Sequence, residues 1–279
     1  MARSESIDLT GYIDPHVHAA PELVPRLLDD IGVAELARAA KMAGVLIKSH
    51  TSMTAGRASI AAKMVPGIRV WGGIVLNRAV GGFDPAVVET ALAYGAAEVW
   101  MPTHDAANHV RFYDTGRGGL ALQDDRGRLP DAVHELLQLI AQHEAILGTG
   151  HLSVEEIRLL VPIAREHGVR RILVTHPEAP FVNMSVAAQC ELGALGCRFE
   201  RTWVFTTPAL GSAVSPARLV HDIRSVGIRT TVLATDMGQI GNPTPVDGFR
   251  AYVQACLAAG FSEAEVRFMG GENIREWLP

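Results

Sequence analysis

Asp14-Pro15-His16-Val17-His18 follows a short apolar opening, residues 7–13, and ends it in metal-ligand chemistry. In an extended segment side chains alternate faces, so His16 and His18 point the same way, near ~6.5 Å apart. Two imidazoles at that spacing can grip one cation. A strand with ligands at its C-terminal tip is also how parallel α/β barrels build sites, gathering groups at that face from several strands. The fold therefore turns on whether later strands deliver more ligands.

Outward from this stretch, apolar β-rich bursts recur at 45–50, 70–76, 97–101, 145–149, 171–175, 197–205 and 230–235. Helical spacing fills the intervals, at 33–43, 55–64, 85–94, 130–143, 184–195 and 215–226. Asp84 before Pro85 reads as a helix N-cap, and Ser153 with Glu156 as a capping box whose helix runs to His167. Helices at 246–259, 263–269 and 272–277 close the chain. Eight strands alternating with helices predict an α/β fold, a single (β/α)8 TIM barrel, with a metal site at the C-terminal ends of its strands. A doubly wound open sheet is the rival, but no G-x-G-x-x-G fingerprint follows the first strand. Residues 1–279 read as one domain, with an irregular insertion at about 104–129 over the barrel mouth, rich in Gly116, Gly118 and Gly119.

Composition narrows the function. At 279 residues and 48% hydrophobic content the chain can bury a full core. A net charge of -5 without blocks of like charge speaks against nucleic acid and acidic membrane surfaces, and for a small-molecule substrate. Cys190, Cys197 and Cys256 have no close metal spacing and read as reduced, core-filling thiols of a cytoplasmic protein. With a polar start, Met-Ala-Arg-Ser-Glu-Ser, and no apolar run near ~18 residues, neither signal peptide nor membrane span is expected.

The polar residues at strand ends are His16 and His18, Lys48 and His50, His104, His151, His176 and Asp236. One such histidine would ordinarily be a core or capping residue; five strand ends carrying histidine or aspartate are hard to explain that way. Strands one and eight are neighbours in a closed barrel, which would bring His16, His18 and Asp236 together. Zinc accepts imidazole and carboxylate in one set.

On His16-x-His18, His151, His176 and Asp236 in strand order, the sequence resembles the amidohydrolase superfamily of metal-dependent hydrolases over nearly its whole length. The resemblance implies one or two divalent ions, zinc foremost, with manganese or iron as alternatives. It implies that His16 and His18 bind the more buried metal and that His151 and His176 bind a second or complete the site. Asp236 would ligate metal and take a proton from the attacking water. Such an ion lowers the pKa of water from about 15.7 toward ~7 and polarises a carbonyl, and Asp236 would return the proton to the leaving group. The departure is at strand four, where many two-metal members carry a lysine or glutamate. Here the tip is Met101-Pro102-Thr103-His104, and Glu98 lies early on the strand.

Lys48 has three readings: a bridging carbamate, a cation that holds a substrate carboxylate or carbonyl, or a structural lysine with a solvated head. His50 is a candidate of the same catalytic kind. Arg57 could grip an anionic substrate as a bidentate donor or be a solvated helix residue. Glu200 could serve the site, pair with Lys48, or pair with Arg198 or Arg201. Gln239 and Asn242 could contact substrate, or simply reflect loop polarity. The sequence-level expectation is a metal-dependent hydrolase acting on an amide, cyclic amide or lactone. A one-metal decarboxylase or deaminase, a phosphoesterase and a non-catalytic metal-binding protein are the rivals, and association into homo-oligomers is compatible with a barrel of this kind.

Overall fold

The structure, a computed structural model, describes residues 7–279, so the polar start at residues 1–6 lies outside it. Eight strands form one sheet in the order β1 to β8: β1 (Ile13–His18), β2 (Gly44–Lys48), β3 (Arg69–Val75), β4 (Glu98–Trp100), β5 (Ile146–Gly148), β6 (Ile172–Thr175), β7 (Arg198–Thr202) and β8 (Thr231–Ala234). Every consecutive pair is parallel. The connecting helices are α1 (Asp30–Ala39), α2 (Ala55–Met64), α3 (Pro85–Ala93), α4 (Ala107–Phe112), α5 (Asp131–Gln142), α6 (Val154–Glu166), α7 (Val186–Ala194), α8 (Pro216–Val226) and α9 (Pro245–Ala258). The chain closes with α10 (Glu263–Arg267), a π-helical turn (Phe268–Glu272) and α11 (Asn273–Arg275). This is a nearly closed (β/α)8 barrel.

Strand alternation divides the core into two layers. Ile13, Leu46, Val75, Trp100, Ile146, Leu173 and Val232 fill the barrel, and Ile274 and Leu278 of the closing segment join them. Val17, Val45, Ile47, Val99, Leu147, Val174 and Phe199 belong to a larger cluster shared with the apolar helix faces, such as Leu136, Leu137 and Ile140 of α5. Each such side chain contributes about 1.5–3 kcal/mol by leaving water. Local signals set the helix starts: Asp29 accepts from Gly32 N at 2.7 Å ahead of α1, and both bonds of the Ser153–Glu156 capping box are formed.

The seam between β1 and β8 positions the site. Pro15 has no N–H, and the β1–β2 register shifts between Asp14 and Val17. On the β8 side, Asp236 N donates to His16 O at 2.8 Å and His18 N to Met237 O at 2.8 Å. Asp14 completes the seam, its carboxylate accepting from Thr235 N at 3.0 Å and Thr235 Oγ1 at 2.5 Å. Burial pushes the Asp14 carboxyl up to about 7, with the Thr235 hydrogen bonds opposing that rise.

Several boundaries differ from the sequence reading. The first strand begins at Ile13, because residues 7–12 bend through a turn at Thr10 and Gly11; the ligand-bearing stretch is therefore the strand itself. The seventh ends at Thr202, and Val204–Thr206 form a 3-10 turn. The insertion is less irregular than expected, since it contains α4. Cys197 and Cys256 are buried as core fillers, but Cys190 is exposed on α7. Among the described residues no helix is long and apolar enough to cross a membrane.

Candidate metal centre

β1 and the end of β8 bring His16, His18 and Asp236 together, all buried. His16 Nε2 lies 3.1 Å and His18 Nε2 3.0 Å from the same oxygen, Asp236 Oδ1. The backbone holds the carboxylate there under constraint. Asp236 sits at φ 55, a left-handed conformation that costs energy outside glycine. At Gly238, φ 139, a Cβ would meet His18 O at 1.9 Å, so the chain passes too close for any side chain.

The ring nitrogens of His16 have distinct duties. Nδ1 donates to Glu200 Oε1 at 2.5 Å, which fixes the ring and leaves Nε2 to face Asp236. Nε2 is buried without an aligned hydrogen bond. On His18, Nδ1 stands 3.8 Å from Glu22 Oε2 and 3.4 Å from Arg26 Nη2, while Arg26 Nε donates to Glu22 Oε2 at 2.5 Å. Burial opposes charge on His16, but the Asp236 carboxylate, with Glu200, outweighs it and raises the imidazole to about 9. Burial lowers His18 to about 4 despite the same carboxylate. Burial likewise opposes ionisation of Asp236, yet His16 and His18 hold its carboxyl well below the usual range.

This donor set fits a divalent cation. Among the described residues, His16, His18 and Asp236 form the one group of three whose ligand atoms all lie within 4.8 Å of one another. Tetrahedral zinc with bonds of about 2.0–2.1 Å places its ligand atoms about 3.3 Å apart, close to the Nε2–Oδ1 separations seen. Two imidazoles and a carboxylate also leave one position open, as in catalytic zinc sites.

The triad opens into a cavity of about 290 Å³ at the C-terminal rim, lined by further histidines. His50 stacks on His18 with ring centroids 4.6 Å apart, and on His104 at 3.9 Å. His151 and His176 lie in the same cavity, centroids 4.8 Å apart, but outside the compact triad. His151 Nδ1 is 2.7 Å from His109 Nδ1, whereas His176 Nδ1 is buried without a partner among the described residues. Burial holds His50, His151 and His176 well below the ordinary imidazole range. Lys48 Nζ is buried without a hydrogen bond, 5.0 Å from the Trp100 ring centroid, and burial lowers its pKa against the pull of Glu200 and Asp236.

The remaining sequence candidates separate. Gln239 lines the cavity, with Nε2 donating to Asp236 O at 2.7 Å; Asn242 lies behind it, donating to Gln239 Oε1 at 2.9 Å. Glu200 is fully buried on β7 and reaches His16, while Arg198 pairs with Glu276 and Arg201 with Glu178. Arg57 is not brought to the cavity: Nε and Nη2 hold Asp30 at 2.8 Å, and Nη1 donates to Pro21 O at 2.9 Å. The guanidinium that does line it is Arg26, which sequence reasoning missed, together with His109, Tyr113, Phe181 and Phe205. The i,i+4 pair Glu22 and Arg26 just past His18 was the available signal. Glu98 points into the barrel, buried with both carboxylate oxygens unpartnered, and burial, with Glu200 nearby, raises it well above the carboxylate range.

The fold recurs in solved structures. An amidohydrolase from Pseudomonas aeruginosa is similar with a TM-score of 0.67 at 12% identity, covering 96% of this chain and 95% of that one. A lactonase from Listeria monocytogenes gives 0.63 at 12%, covering 98% and 95%. The phosphotriesterase homology protein from Escherichia coli, solved with phosphate in its active site, gives 0.58 at 14%, covering 97% and 99%. The likeness to amidohydrolase-superfamily barrels read from the order of ligands thus extends to the three-dimensional fold, and at these identities it speaks of fold alone. No curated protein sequence matches significantly. A family model matches residues 11–200, and the chain accordingly belongs to DUF6282, described as a family of unknown function.

Proposed function

We propose that the protein is a metal-dependent hydrolase that uses water to cleave a carbonyl-type bond, an amide, cyclic amide or lactone, in a small molecule. The observation that carries this reading is the meeting of His16 Nε2, His18 Nε2 and Asp236 Oδ1 at the floor of a cavity that opens at the C-terminal rim. When bound, a divalent ion polarises a carbonyl and makes water acidic enough to attack near neutral pH. His16 and His18 would hold that ion, with zinc favoured by the nitrogen and oxygen donors and manganese or iron as alternatives. Glu200 keeps His16 in the tautomer that presents Nε2. Both imidazole contacts to Asp236 use Oδ1, so Oδ2 is left to take a proton from water and pass it to the leaving group. His50, His151 and His176, buried and held neutral by desolvation, are suited to accept or donate hydrogen bonds to a carbonyl substrate.

The test is turnover of a panel of amides, cyclic amides and lactones by chelator-stripped and metal-restored protein, alongside Asp236→Asn. Activity that disappears on stripping, returns with zinc, manganese or iron, and is absent from a folded Asp236→Asn variant supports the reading. Activity indifferent to both changes overturns it, and release of carbon dioxide or ammonia would redirect it to decarboxylation or deamination.

A further inference from the structure

The cavity is chemically two-sided. On the β1–β2 side stand two basic groups, Arg26 and Lys48. Arg26 spends Nε on Glu22 and turns Nη2 toward His18, and among the described residues its Nη1 has no hydrogen-bond partner. Lys48 Nζ is buried without any hydrogen bond among the described residues. Against these, Asp236 is the one acidic side chain in the lining among the described residues, and it is already engaged with two imidazoles. A bound divalent ion would make the floor more positive still. A buried amine with no partner is costly, and a ligand carboxylate would satisfy it.

The opposite wall, from the segments after β6 and β7, is apolar. Phe181 stands edge-on to His176 at 5.3 Å between centroids, Phe205 edge-on to the same ring at 5.5 Å, and the two phenyl rings are 6.0 Å apart. Tyr113 from the insertion lies 6.1 Å from Phe181. Leu210, also in the lining, is 39% exposed, so the apolar surface continues out to the mouth. At about 290 Å³ the space is at the small end for ligand pockets.

We infer that the substrate is a compact carboxylic acid with a flat apolar body, its carboxylate on Lys48 and Arg26 and its body against Phe181 and Phe205. The inference rests on the hydrolase reading for where the scissile bond lies, since it sets the bond between these two anchors, over the metal triad. The carboxylate then acts as a handle, and the apolar wall fixes the reach from handle to bond.

The experiment is calorimetric titration of the full chain with benzoate, benzamide and acetate, in zinc-loaded and metal-stripped forms. Benzoate is expected to bind about tenfold or more tighter than either benzamide or acetate in both forms. Lys48→Met should erase the preference for benzoate over benzamide, and Phe181→Ala the preference for benzoate over acetate. Among the described residues Lys48 makes no hydrogen bond whose loss would disturb folding, so Lys48→Met keeps the test valid if Arg26→Gln, which takes from Glu22 Oε2 its Arg26 Nε donor, lowers the melting temperature. Benzoate no tighter than benzamide, or benzoate binding that needs zinc and ignores Lys48→Met, overturns the inference while leaving the hydrolase reading standing. Benzoate binding with the expected selectivity in a protein that takes up neither zinc, manganese nor iron would instead sink the hydrolase reading and leave the anion handle in place.

Discussion

Glu200 and Asp236 flank His16 from opposite ring nitrogens, and the two contacts do different work. Replacing Glu200 with Gln keeps its shape but removes the charge that favours Nδ1–H, so metal affinity should fall about 10–100-fold with little change in fold; competition against a chromogenic chelator measures it, and an unchanged affinity would leave Glu200 no part in orienting the ring. Arg201 and Arg198, the partners sequence proximity suggested for Glu200, are taken by Glu178 and Glu276. That pairing was not legible because it depends on which face of β7 each residue occupies and on a residue 78 positions away, just past α11. His16, His18 and Asp236 were legible for the opposite reason: each lies in or directly after an apolar burst, where alternation fixes direction. Arg57 failed as a cavity residue because its partner, Asp30, lies 27 residues earlier, at the start of a different helix.

At the scale of elements, the β1–β8 seam is where fold and site are one construction. Asp14 and Thr235 tie the strands together directly beneath His16 and Asp236. Thr235→Val keeps the volume and removes the hydroxyl that Asp14 accepts from, leaving a buried carboxyl short of a partner at a cost of about 1–3 kcal/mol. The melting temperature should drop and metal affinity with it; a variant that melts lower yet binds metal as before would separate the seam from the site. Gly238→Ala is harsher, because its Cβ would overlap His18 O, and metal binding should be lost even if the barrel survives. The order of strands and helices was readable from periodicity, with boundaries shifted by a few residues. The loops were not: Arg26 and Phe181 sit in irregular chain, where no period tells which way a side chain points, and His109 in α4, a helix too short to announce itself by periodicity; all three line the cavity.

For the molecule as a whole, burying so many titratable groups at one rim couples stability to pH in the metal-free protein. His18 and His109 are lowered to about 4 by burial, and His50, His104, His151 and His176 are lowered in the same way. Below about 6.5 the unfolded chain binds protons that these folded imidazoles refuse, so stability falls as pH drops from about 6.5 toward 4. Asp14, Glu98 and Glu178 are raised and act in the opposite sense, losing their contribution as pH rises, but they are outnumbered in that window. His16, raised to about 9, contributes fully below about 6.5 and loses that contribution as pH climbs through 9. Melting temperatures of stripped protein should therefore peak near neutrality, and a monotonic rise to pH 9 would contradict the assignment. Adding zinc at about a hundred times its dissociation constant should contribute about 2.7 kcal/mol, roughly 5 °C in melting temperature.

Anomalous scattering from crystals of the zinc-loaded protein, recorded on both sides of the zinc edge, puts the shared cation to direct trial. A peak should stand within bonding distance of His16 Nε2, His18 Nε2 and Asp236 Oδ1. A zinc-replete crystal whose peaks all lie elsewhere, with these three side chains ligating nothing, would refute the metal centre and the chemistry built on it.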